Sequence, residues 1–214
     1  MNFEEFKKKT QRFPFVLAKE VLKFEKNKQL LKNQLTRWEK KGHILKLKRG
    51  IYLLNQYDRK VTPSRFYLAN QLYEPSYVSL ESALSLYGII PERTASITSV
   101  ATKKTTRFRN EFGDFIYQHM KPQAFKGFIL IREDNGLEAF VAKPEKAVVD
   151  FLYLHLREFS SDPMEKLRES YRFQNLDTLK RGLVMEFSRS FANAKLTKIC
   201  ALLFKLIKKE RQND

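Results

Sequence analysis

The chain has 214 residues, 43% of them hydrophobic, which is enough for a packed core and argues against wholesale disorder. Its 41 Lys and Arg against 24 Asp and Glu give a formal charge of +17, a surplus that draws polyanions, nucleic acid first. One cysteine, Cys200, excludes an internal disulfide framework and fits a reducing compartment, and no apolar run approaches the ~20 residues of a membrane span.

The charge is uneven: residues 1–60 hold 17 Lys and Arg against 6 Asp and Glu, a net of +11, which leaves +6 for residues 61–214. The opening stretch MNFEEFKKKTQRFPFVLAKEV lacks the uninterrupted apolar core of a signal peptide, so a soluble cytoplasmic protein is expected. Residues 2–10 read as a short helix, with Phe3 and Phe6 on one side and lysines opposite. Pro14 suits the first turn of a second helix, in which Phe15, Ala18, Val21 and Leu22 recur at helical spacing through Phe24. After the polar break Glu25-Lys26-Asn27, Asn27 caps a third helix running to Lys41, and Gly42 stops it. Its buried stripe is Leu31, Leu35 and Trp38, with Leu30 alongside, and Trp38 on that stripe reads as core rather than a stacking platform.

Next, Ile44, Leu45 and Leu47 interleave with Lys46 and Lys48, Arg49-Gly50 turns the chain, and Ile51–Leu54 returns. Helix, helix, helix and hairpin is the order of a winged helix. Tyr52 on the return strand is expected to brace the hairpin rather than touch a phosphate. Asn55 to Pro63 is polar and proline-ended and reads as a linker.

Beyond the linker the pattern mixes α and β. Helices are predicted over 64–73 and 79–87, the second capped by Ser79 and closed by Gly88. Strands are predicted over 97–102, 114–120, 127–132 and 137–142, the last pair joined by Glu133-Asp134-Asn135-Gly136. Pro144 starts a helix through Leu156, and three more are expected over 163–173, 176–188 and 191–209. The fold expected is α+β: a winged helix-turn-helix in residues 1–60, then a mixed α/β domain in 61–214 with a small, mostly antiparallel sheet and C-terminal helices.

The face of the third helix opposite its apolar stripe carries Lys28, Gln29, Lys32, Asn33, Thr36, Arg37 and Lys40. Long cations and amides at that spacing reach base edges and phosphates in a major groove, where Arg favours guanine and Asn favours adenine. A charged face is often only a solvated one. The hairpin behind it tips the reading toward double-stranded DNA, because Lys46, Lys48 and Arg49 are able to contact flanking phosphates. A second basic run, TKKTTRFRN from Thr102 to Asn110, reads as a loop between strands. Its Lys103, Lys104, Arg107 and Arg109 are candidate contacts to phosphate or to an acidic partner.

The last helix aligns Leu196, Ile199, Cys200, Leu203, Leu206 and Ile207, with Lys195, Lys198, Lys205, Lys208 and Lys209 on the rest of its surface, so Cys200 is expected to be buried and inert. No catalytic, metal or cofactor site is read. His43, His119 and His155 lie far apart, and there is neither a glycine-rich phosphate loop nor a GxSxG turn. A metal-dependent nuclease would require Asp114, Glu133, Asp134, Glu145 and Asp150 to converge, although turns and helix starts attract carboxylates anyway. A stand-alone transcription regulator would present the same DNA-binding face.

The run LTRWEKKGHILKLKRGIYLL, Leu35 to Leu54, resembles the helix-to-wing signature of AbiEi-type antitoxins, which belong to type IV toxin–antitoxin systems linked to abortive phage infection. Three later blocks resemble that family's C-terminal domain more specifically: YVSLESALSLYGIIPE (Tyr77–Glu92), ITSVATKKTTRFRNEFGDFIYQHMKP (Ile97–Pro122) and AKPEKAVVDFLYL (Ala142–Leu154). The resemblance implies a transcriptional autorepressor that binds promoter inverted repeats through its winged helix. It also implies a C-terminal domain that antagonises a nucleotidyltransferase toxin encoded alongside. The chain departs from the family in having FEKNKQ where a short Gly- or Ser-containing turn often precedes the recognition helix, and residues 155–214 match no motif of the family.

Overall fold

In the computed structural model, which describes residues 1–24, 27–159, 163–167 and 171–210, helix α1 (Phe3–Thr10) begins at a capping box. Asn2 Oδ1 accepts from the Glu5 backbone N–H at 2.9 Å and the Glu5 carboxylate accepts from the Asn2 N–H at 3.0 Å. Phe6 is fully buried, its ring 4.9 Å from that of Trp38.

The stretch from Phe15 to Phe24 is not one helix. Val16–Leu17 is a strand, β1, followed by the one-turn helix α2 (Ala18–Val21) and a 3-10 turn over Leu22–Phe24. The cause is tertiary: β1 pairs antiparallel with the hairpin's return strand, Val16 opposite Tyr52 and Leu17 opposite Ile51, and that pairing outweighs helical spacing in a short segment. Helix α3 (Lys28–Lys40) follows the reading closely. Asn27 Oδ1 accepts from the Leu30 N–H at 2.9 Å, Leu31, Leu35 and Trp38 are buried, and Gly42 leaves the helix at a φ of +71°. Leu30, expected beside the stripe, is exposed.

Strands β2 (Ile44–Lys48) and β3 (Ile51–Leu54) form the hairpin, with a register break between Lys46 and Lys48. The resulting three-stranded antiparallel sheet has the order β1-β3-β2. Its two faces serve two cores. Val16, Ile44 and Leu54 pack with Phe6, Leu31, Leu35 and Trp38, and Tyr52 braces this side. Leu47, Ile51 and Leu53 join the large core of the second body. The stretch 55–63 is held at both ends: Asp58 pairs with Lys7 at 2.5 Å, the Lys60 N–H donates to the Gln11 carbonyl, and Asn135 Nδ2 donates to the Thr62 carbonyl.

The second body is built on a six-stranded mixed sheet, larger than the small sheet expected. Its strands are β4 (Ser76–Val78), β5 (Ile97–Ala101), β6 (Thr106–Asn110), β7 (Gly113–His119), β8 (Phe128–Arg132) and β9 (Glu138–Ala142), in the order β6-β7-β5-β4-β9-β8. The β6–β7, β4–β5 and β8–β9 pairings are antiparallel, and β5–β7 and β4–β9 are parallel. Helix α4 (Arg65–Leu72) lies on β4, β5 and β9, and α5 (Leu80–Leu86) lies on β5 and against α6 (Pro144–Leu154). Within the expected 163–173 helix, Pro163–Glu165 form the short α7, residues 166–167 continue as π-helix, and residues 171–174 are not helical. The 176–188 helix divides into a 3-10 turn (Leu176–Thr178) and α8 (Arg181–Arg189), and α9 (Ala194–Glu210) ends the described chain. Residues 168–170 of the expected 163–173 helix lie outside the described residues, as do Glu25, Lys26 and the side chains of Phe24 and Lys209.

Ser79 stands at the N-cap position of α5, as expected, but its side chain makes no cap hydrogen bond. Its hydroxyl donates instead to Asp150 Oδ2 at 2.8 Å, and the Tyr77 hydroxyl donates to the same oxygen at 3.0 Å. Asp150 also pairs with Lys146 one turn earlier on α6, and both side chains are completely buried. The Lys146 ammonium lies 4.9 Å from the Phe191 ring centroid and 5.6 Å from that of Tyr77. Burial pushes the Asp150 carboxyl up and the Lys146 ammonium down, each against the attraction of the other. The blocks Tyr77–Glu92 and Ala142–Leu154 therefore meet through a buried polar tie between the end of β4 and α6.

Candidate nucleic-acid interface

Helix α3 is fixed by its Asn27 cap, its Gly42 stop and its Leu31–Leu35–Trp38 stripe, and these decide which residues face outward. Lys28, Lys32, Asn33, Thr36, Arg37 and Lys40 are all exposed. Among the described residues, none of the four cations in this group makes an ion pair. Asn33 Oδ1 accepts from Gln29 Nε2 at 3.0 Å, which leaves the Asn33 amide hydrogens free to donate, and the Thr36 hydroxyl donates back to the Lys32 carbonyl. Lys41, exposed and one residue past the helix, borders a cleft with Arg37, Gln34, Asn2 and His43. The sequence places Lys41 at the end of the third helix but not on the face counted as DNA contacts.

The hairpin cations part company. Lys46 is exposed and stands opposite Tyr52, whose ring packs on the α1–α3 core, so Lys46 rises on the α3 side of the sheet. Arg49 is exposed at the tip, where Gly50 takes a φ of +83°. Lys48, beyond the register break, turns toward the second body. Its ammonium donates to the Leu72 carbonyl at the end of α4 and lies 5.4 Å from the Phe108 ring centroid. Desolvation there, with Lys103 nearby, pushes its pKa down. Eight of the nine residues read as DNA contacts are thus exposed, and Lys48 is half-buried and engaged with the second body.

The second basic run is not a single loop. Lys103 and Lys104 do occupy an exposed loop after β5, but Arg107 and Arg109 lie on β6. Arg107 is engaged across the strand pair, holding Asp114 through Nη2–Oδ2 at 2.7 Å and Nε–Oδ1 at 3.2 Å. That bidentate contact lowers the Asp114 pKa. Lys103 lies 5.5 Å from the Tyr73 ring centroid, and the Tyr73 hydroxyl donates to the Lys104 carbonyl at 2.9 Å.

The carboxylates weighed for a metal centre do not converge. Asp114 is held by Arg107, Glu133 accepts from the Ser64 hydroxyl, Glu145 accepts from the Lys180 N–H and Asp150 pairs with Lys146. Among the described residues no group of three His, Cys, Asp or Glu side chains could hold a metal ion. His43 stacks on Phe3 and His155 on Phe151. Among the described residues no helix is long and apolar enough to cross a membrane.

The outward groups of α3 and the hairpin tip are hydrogen-bond donors, most of them cationic, a set suited to phosphate oxygens and to acceptor-rich base edges rather than to acid–base chemistry. No protein-family profile matches this chain, and no curated protein matches it.

Proposed function

We propose that the protein binds double-stranded DNA through residues 1–60, folded as a winged helix, and represses its own promoter, while the second body antagonises a nucleotidyltransferase toxin. The observation that carries the DNA half is the exposed face of α3, whose Lys28, Lys32, Arg37 and Lys40 make no ion pair among the described residues, backed by Lys46 and Arg49 on the adjoining hairpin. The element order helix, strand, helix, helix, strand, strand, with sheet order β1-β3-β2, supports the winged-helix reading.

In this reading α3 enters the major groove, whose width of about 12 Å matches a helix with its side chains. Arg37 donates to guanine O6 and N7, and Asn33 addresses adenine once its amide turns from Gln29. Lys28, Lys32, Lys40, Lys46 and Arg49 take phosphates and set the register. Thr36 contributes a hydroxyl and a methyl at the middle of the face. The toxin-antagonising half rests on the resemblance of the blocks Tyr77–Glu92, Ile97–Pro122 and Ala142–Leu154 to AbiEi-type antitoxins.

Titration onto the DNA upstream of its own gene, across a salt series, tests the first half. With about 4–6 phosphate contacts per module, log K should fall against log salt with a slope near −4 to −5. A flat response would remove the DNA reading. The neighbouring reading frame tests the second half: it should encode a nucleotidyltransferase whose toxicity co-expression relieves, and no such neighbour, or unrelieved toxicity, would leave a stand-alone regulator.

A further inference from the structure

We propose that the DNA track does not end at the hairpin but continues onto the second body, where Lys103 and Lys104 take backbone phosphates beside Lys48. This rests on the DNA reading above and extends its footprint.

The two parts of the track are joined by a small aromatic platform. Lys48, the last residue of β2 before the Arg49-Gly50 tip, lies over the Phe108 ring. Lys103 lies over the Tyr73 ring. Those two rings are 5.9 Å apart, and both pack on the buried Tyr117, at 5.8 and 5.1 Å. Two ammonium groups are therefore held near one another on touching rings, at the seam between hairpin and second body.

The loop carrying Lys103 and Lys104 is tied down before any ligand arrives. Tyr73 Oη donates to the Lys104 carbonyl, the His119 N–H donates to Thr105 Oγ1 at 3.1 Å, and His119 Nδ1 lies 3.1 Å from the Lys103 carbonyl. Tyr73, Thr102, Lys103, Lys104, Thr105 and His119 line an open cleft of about 660 Å³. Among the described residues neither Lys103 nor Lys104 makes an ion pair, and Glu74, whose charge acts on Lys48, pairs with none of the three lysines.

A polyanion relieves the like-charge crowding and releases its own counterions in doing so. The chemistry favours a phosphate backbone over an acidic protein. Protein interfaces centre on apolar side chains, whereas this cleft is rimmed by the exposed Lys103 and Lys104 and by Thr102 and Thr105, with Lys103 lying over its Tyr73 ring. Lys48 thereby gains a role that a free wing contact would not give it: it docks the hairpin on α4 and keeps the tip beside the second cationic loop.

The test uses the full chain and its own upstream duplex. The double variant Lys103→Ala/Lys104→Ala, checked for unchanged circular dichroism and thermal unfolding, should flatten the log–log salt slope by about 2 on specific and scrambled DNA alike. Hydroxyl-radical protection should be lost only at the outermost phosphates. Lys104→Glu should weaken binding further than Lys104→Ala. An unchanged slope and footprint, with Arg37→Ala still weakening specific binding, would overturn this extension and leave the DNA reading standing. Absence of binding by the unaltered protein would overturn both. Intact DNA binding with loss of toxin relief in the double variant would make the loop a protein-docking element and also overturn the proposal.

Discussion

Loss of Asp150 should damage the fold severely. Its carboxylate has no exposure and receives the Lys146 ammonium, the Tyr77 hydroxyl at 3.0 Å and the Ser79 hydroxyl at 2.8 Å. Asp150→Ala strands a positive charge in the interior and leaves two hydroxyls without their acceptor. Breaking a buried pair by removing one partner costs about 3–5 kcal/mol. For a chain of this length that lowers the melting temperature by roughly 6–20 °C, at about 2–4 °C per kcal/mol. Removing both charges behaves differently. Lys146→Met with Asp150→Asn keeps the volume, leaves an amide oxygen for the hydroxyls and should recover most of the loss, because the desolvation cost disappears with the charges. Chemical denaturation of Lys146→Met, Asp150→Asn and the double variant forms a cycle, and a coupling of about 2 kcal/mol or more is expected. Additive losses, or a cost below about 1 kcal/mol for Asp150→Ala, would refute the buried-pair account.

Cys200 is buried on α9 and burial pushes its thiol up to about 12, so it should resist a thiol reagent at pH 8 and react stoichiometrically once the chain is unfolded; rapid labelling of the native protein would contradict its placement. The Arg107–Asp114 pair lowers the Asp114 pKa from its ordinary 3.8, so its stabilisation is present above about that pH and is lost as pH falls through the lower folded value. Asp114→Asn should therefore narrow the difference between denaturant midpoints measured at pH 7 and pH 3, and an unchanged difference would count against the pair. Asn27→Ala removes the cap of α3 and should cost about 1 kcal/mol in denaturation, with no loss if the helix start lies elsewhere.

Legibility in the sequence followed the range of the interactions. Helix α3 was readable because its cap, its apolar stripe and its glycine stop all lie within sixteen residues. The β2–β3 hairpin was readable for the same reason, from alternation around Arg49-Gly50. Strand β1 was not, since only its pairing with Tyr52 and Ile51, some 35 positions later, makes Val16 and Leu17 extended. Strand β6 did carry an alternating signal, with Phe108 packed inward and Arg107 and Arg109 outward, but five residues rich in arginine resemble a solvated loop. Strand β4 is three buried residues with no alternation to detect.

Ser79 presented every local sign of a helix cap, yet its hydroxyl belongs to Asp150, 71 positions away. The outward face of α3 was legible for the same local reasons as the helix. The turning of Lys48 was not, because a register break of one residue reverses the face a side chain occupies. The nearness of Lys48 to Lys103 depends on how hairpin and second body dock, and no local pattern encodes that.

The central claim is that the wet face of α3 reads duplex DNA, and the affinity of Arg37→Ala against the unaltered protein, on the upstream sequence and on a scrambled duplex, tests it most directly. The account predicts a loss of about 1–3 kcal/mol, roughly 5- to 140-fold, on the upstream sequence and a much smaller, sequence-independent loss on the scrambled one. Equal affinity of the two proteins for the upstream duplex, or equal losses on both duplexes, would contradict it.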